Sequence, residues 1–275
     1  MSSPASPTEN RWPGERLGLP AAGPRSVEAL FQRARALEAR GQGAAALKAY
    51  DDVLAVAPAN HAALLNRGQL LQRSRQFQRA LGDFDAALRI DRSDADGWLS
   101  RAGIRVALGE PEAAIADYRE ALALAPNRID VALGLTQALV SAEQPSLAID
   151  ELGRLIKRYP DQAGFWNMRC LIRAVSGQVA GALPDCEEAL RLAPNQSGVL
   201  HTRALVQLKR GDLDGAIADY DRALSLDARL GQAWYGRAIA HQRRGDEAEA
   251  ASDFARARAL DGSAGERYRA YGVTP

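Results

Sequence analysis

The stretch from Ser197 to Leu230 matches the chain again when it is shifted by 34 residues in either direction. Other copies begin at Val27, His61, Ala95, Ile129, Ala163 and Gly231. Seven units therefore fill residues 27–264 without insertion or deletion: 27–60, 61–94, 95–128, 129–162, 163–196, 197–230 and 231–264. Each holds two apolar-periodic segments about a dozen residues long around a short turn such as Arg210-Gly211-Asp212. One such pair cannot bury its apolar faces alone. A repeat of this length predicts helix–turn–helix units that complete a continuous core by stacking.

The register is carried by particular residues. Position 20 of the unit is Ala46, Ala80, Ala114, Ala148, Ala182, Ala216 and Ala250, and position 8 is mostly small: Ala34, Gly68, Ala102, Thr136, Cys170, Ala204 and Ala238. Small side chains are needed where two helices cross closely. Position 4 carries a large residue, Leu30, Leu64, Trp98, Trp166, Leu200 and Trp234, with Ala132 the exception. Position 24 is Tyr50, Phe84, Tyr118, Leu152, Cys186, Tyr220 and Phe254. Pro58, Pro126, Pro160 and Pro194 stop the second helix at position 32. Over nearly its whole length the chain resembles the tetratricopeptide repeat family. That resemblance implies an all-α solenoid, a right-handed superhelix of helix–turn–helix pairs.

Position 15 is Gly41, Gly109, Gly177, Gly211 and Gly245, where a left-handed backbone ends the first helix. Arg75 and Glu143 stand there in the second and fourth units, which predicts strained or differently shaped turns. Pro111 and Pro145 fall in a first turn, where a missing N–H is tolerated. Pro184 sits deeper and should distort its helix. Residues 265–275 begin like an eighth unit, with Tyr268 at position 4, and read as a short capping helix that leaves part of the last face open to end-to-end association.

Lys plus Arg number 35 against 34 Asp plus Glu, a net charge of +1, which argues against a general binder of nucleic acid or anionic membrane. The two cysteines, Cys170 and Cys186, lie 16 residues apart on facing sides of one helix pair. They are expected as two small buried apolar residues, with a redox pair as the alternative. His61, His201 and His241 fall in three separate units, so no metal site is indicated, and no cofactor motif is present. No segment has the length and apolarity of a signal peptide or membrane span, so the cytoplasm is the expected location.

Residues 1–26 are rich in Pro, Gly and Ser without helical period and are expected to be disordered. Within them, Trp12-Pro13-Gly14-Glu15-Arg16-Leu17-Gly18-Leu19-Pro20 reads as a short docking motif or an incidental part of a flexible tail. Its string PGERLGLP is similar to a segment ahead of the membrane domain in some actinobacterial proteins of the RDD family. Position 7 is Arg in six units and position 23 is acidic in six, an ionic ladder within or between units. The alternative is an Arg stripe for an anionic ligand.

In the family resembled, the first helices line a concave face that takes partner peptides. The implied lining is Leu99, Val106, Leu133, Gln137, Val140, Asn167, Leu171, Val175, His201, Leu205, Leu208 and Tyr235. An apolar row with polar ends fits a protein or peptide partner. The two-carboxylate clamp known in one subclass is incomplete, since Asn66 lacks the needed residues at Phe31, Arg35, Asp96 and Ser100. No nucleophile motif, phosphate loop or isolated carboxylate pair is present, so a non-enzymatic scaffold or adaptor is expected. The alternatives are a self-assembling architectural protein and an accessory subunit of an enzyme complex.

Overall fold

The computed structural model describes residues 26–275, so the docking string around Trp12 lies outside the described residues. Within them the chain is a succession of fifteen α-helices. The first four are α1 (Val27–Ala39), α2 (Gly43–Val56), α3 (His61–Arg73) and α4 (Phe77–Ile90). They are followed by α5 (Ala95–Ala107), α6 (Pro111–Leu124), α7 (Ile129–Ser141), α8 (Pro145–Arg158), α9 (Ala163–Val175) and α10 (Val179–Leu192). The last are α11 (Ser197–Arg210), α12 (Leu213–Leu226), α13 (Gly231–Arg244), α14 (Glu247–Leu260) and α15 (Ala264–Ala270). Among the described residues, those up to Ile90 form one compact unit and those from Asp91 a second.

The local signals act as the chemistry requires. Side chains of Ser26, Asn60, Asp94 and Asp212 accept hydrogen bonds from first-turn amides and cap α1, α3, α5 and α12. Pro111 and Pro145 open α6 and α8. Arg75 and Glu143 take φ of +58° and +56°, so they enter the left-handed region that glycine occupies in the other turns, at the steric cost of a Cβ. Pro184 lies inside α10, which continues past it. The position-20 alanines are buried to the last, with Ala250 the most exposed at 4%.

The ionic ladder runs within five of the seven repeats, the second, third, fifth, sixth and seventh. Both oxygens of Asp83, Asp117, Asp185, Asp219 and Asp253 accept from Nε and Nη2 of Arg67, Arg101, Arg169, Arg203 and Arg237, at 2.6–2.9 Å. These bidentate pairs tie the first helix to the second with fixed geometry. Arg67 and Arg237 also reach back to Asp51 and Asp221 of the preceding repeats. In the fourth repeat Leu135 replaces the arginine, and Glu151 pairs instead with Arg154 one turn along α8.

One expectation is corrected. Cys170 and Cys186 are not separate thiols: a disulfide joins α9 to α10, with Cα atoms 5.5 Å apart and both residues fully buried. Positions 8 and 24 meet where the paired helices cross, which brings two Cβ atoms within bridging reach.

Candidate partner-binding groove

The groove residues stand on the first helices of successive repeats. Leu99 and Val106 on α5, Leu133 and Val140 on α7, and Asn167, Leu171 and Val175 on α9 are all half-buried, and Gln137 is exposed. Half-burial means that each packs one flank and leaves another edge exposed. Asn167 is the polar member of this row, and its Oδ1 is buried with no hydrogen-bond partner among the described residues.

The other end of the row is not open. His201, Leu205 and Leu208 on α11 are buried, because the C-terminal segment lies over them. Tyr268 of α15 is fully buried, and its hydroxyl meets His201 Nε2 at 3.2 Å and the Tyr220 hydroxyl at 2.9 Å. Gly236 makes room for this contact, since any Cβ there would collide with the hydroxyls of both tyrosines. After the turn at Gly272, Val273 joins the cluster containing Leu205, Leu208 and Ile239, with the half-buried Tyr235 packed against it. The backbone is held as well: Lys209 Nζ donates to the Tyr271 carbonyl at 2.5 Å and Arg243 Nη2 to that of Thr274 at 2.7 Å. The expected cap thus folds onto the lining face of repeats six and seven. Its shortness was legible, but the return of the chain after Gly272 carries no periodic signal.

Burial under this segment pushes the His201 pKa from 6.5 down to about 4. The groups facing the ring are the hydroxyls of Tyr220 and Tyr268, and neither carries a charge at neutral pH. The folded protein therefore keeps His201 neutral while the unfolded chain takes up a proton below about 6.5. Stability from this site is complete above that pH and is lost as pH falls toward about 4. Melting followed across this range should show a decline that is reduced in His201→Gln. An equal decline in both proteins would remove His201 as its source.

Models described as tetratricopeptide repeat match residues 31–72, 65–129 and 201–264, and another of the same description matches 105–169. The chain belongs to the tetratricopeptide repeat family. A tetratricopeptide repeat protein from Parabacteroides merdae superposes with a TM-score of 0.69 at 18% identity, over 91% of this chain and 100% of that one. The C-terminal part of a repeat-containing protein from Cytophaga hutchinsonii gives 0.67 at 15% identity, over 87% and 98%. Pseudomonas aeruginosa pilF gives 0.57 at 21%, over 76% and 96%. At these identities the likeness is one of fold. A search of curated proteins gave no match.

Among the described residues no three His, Cys, Asp or Glu side chains gather to hold a metal ion, and no helix is long and apolar enough to cross a membrane.

Proposed function

We propose that this tetratricopeptide repeat protein is a scaffold or adaptor whose groove in repeats three to five captures an apolar segment of a partner protein. The observation that carries the reading is the chain's own C-terminus on the neighbouring stretch of the same face. There a short helix followed by a turn puts Tyr268 and Val273 into an apolar floor, and basic side chains hold two backbone carbonyls. The same face in repeats three to five offers Leu99, Leu133, Leu171 and Val175 half-buried. A segment of like chemistry, apolar with a short helical or extended backbone, would complete it. The role is binding rather than catalysis, and near-neutral charge points to protein rather than nucleic acid.

A photo-crosslinking residue at Gln137, in the groove, should capture the partner in native cells, whereas one at the exposed Ala116 of α6 should not. A Leu133→Arg, Leu171→Arg variant with parental helicity and melting should lose the same partner. Equal capture from both positions, or a partner retained by the folded variant, would move the binding surface elsewhere.

Self-association is the second reading, favoured by a hollow of about 430 Å³ at the C-terminal end whose lining includes Tyr235, Phe254, Arg258 and Asp261. Light scattering across a concentration series separates the two. The disulfide bears on where the protein works. Such bridges persist in oxidising compartments and are rare where thiols are kept reduced, so in the cytoplasm the Cys170–Cys186 pair would be held as a dithiol or closed only transiently.

A further inference from the structure

The fourth repeat lacks two side chains that its neighbours place together. In repeats three, five and seven an indole Nε1 donates to the backbone carbonyl six residues earlier: Trp98 to Arg92 at 2.8 Å, Trp166 to Pro160 at 2.8 Å and Trp234 to Ala228 at 2.9 Å. The position-7 arginine of each repeat lies over that indole, 4.7, 5.0 and 4.6 Å from its centre. In repeat four the two positions are Ala132 and Leu135. The corresponding carbonyl is that of Pro126, and a methyl group brings it no donor.

The surface is hollow at this point. Two adjoining cavities of about 390 and 450 Å³ share Leu122, Pro126, Glu151 and Arg154. Leu135 and Leu139 line the first, while Ala132 and Leu155 line the second. The exposed Leu147 stands on the edge, 44% accessible. The rim is basic on balance, with Arg119, Arg154, Lys157 and Arg158 against Asp150 and Glu151. Glu151 is moreover occupied by Arg154 at 2.7 Å.

We propose that this hollow is a second docking site, which takes a tryptophan side chain from an acidic segment of a partner protein. Repeats three, five and seven show an occupant that this position accepts, an indole packed on the helix pair with its N–H on the preceding carbonyl, while repeats one, two and six carry leucine there. The missing intramolecular arginine and the basic rim select acidic residues beside the tryptophan. The site is separate from the groove: it uses positions 4 and 7 of α7 and the face of α8, not the lining row.

The test is a fluorescence anisotropy titration of the full chain with a labelled peptide Glu-Glu-Asp-Trp-Asp-Glu-Glu, beside the same peptide with Ala in place of Trp. The parent should bind the tryptophan peptide at least about tenfold more tightly than the alanine one. Ala132→Trp restores the side chain of repeats three, five and seven, so it should fold at least as stably as the parent while losing the peptide. Leu133→Arg, in the groove, should retain it. Parental binding by a folded Ala132→Trp variant would overturn the proposal. So would equal affinity for the two peptides, which would leave only charge at work, or no binding by the parent.

Discussion

Asp117→Ala is expected to destabilise the second compact unit by about 3 to 5 kcal/mol, the cost of leaving buried charge without its counter-ion. The Asp117 side chain is 2% exposed and receives Arg101 in bidentate fashion at 2.8 and 2.9 Å, with Arg105 at 2.9 Å. Removing the carboxylate leaves two guanidinium groups close together, their side chains only 14% and 21% exposed. Water cannot solvate them fully there, and Arg101 is also held over the Trp98 ring. The matched control is Asp221→Ala. Asp221 contacts Arg237 at 2.5 Å but is 55% exposed, so its loss should cost less than about 1 kcal/mol. Urea unfolding of both variants, with hydrogen exchange to locate the change in repeat three, gives the comparison. Equal and small effects would mean that the ladder is not what holds the paired helices together. Parental stability combined with lost partner binding would return the arginines to the role of a ligand stripe.

The ladder also marks how far the sequence could be read. Arg at position 7 and an acid at position 23 were visible as a pattern. Whether they met within a repeat or across two depended on side-chain reach at the helix crossing, which periodicity does not encode. Register was the easy part, because the position-20 alanines and position-15 glycines answer to backbone geometry that recurs in each copy. Arg75 and Glu143 follow the same rule against their own preference, since the repeat imposes the turn whatever residue stands there. The exposure of the proposed lining row was not legible in the sequence. Leu99, Leu133 and Leu171 stand half-buried on their helices, whereas His201, Leu205 and Leu208 lie under the C-terminal segment. That segment is not periodic, and its docking rests on a tyrosine hydroxyl cluster and on the turn at Gly272. The roles of Lys209 and Arg243 were missed for the same reason. The one available signal was Tyr268 at the position of the missing eighth large residue.

Reduction of the Cys170–Cys186 bridge is expected to lower the stability of the fifth repeat by about 3 kcal/mol, the loop-closure entropy that a bridge of this size removes from the unfolded chain. The repeat is where such help is needed. Pro184 lies inside α10 and has no N–H to donate to the carbonyl of Ala180, a loss that costs an ordinary helix on the order of 3 kcal/mol. The bridge joins α10 to α9 just beyond that proline, so the two departures from the repeat pattern offset each other. Both cysteines are fully buried, which means a reductant reaches the sulfurs only when the repeat opens. Two results should follow. Reduction under native conditions should be slow and should accelerate with sub-denaturing urea, while added reductant should shift the unfolding midpoint of the parent but not of a Cys170→Ala variant. Rapid reduction of the folded protein without loss of stability would show that the helix pair stands on its packing alone and that Pro184 is accommodated without the bridge.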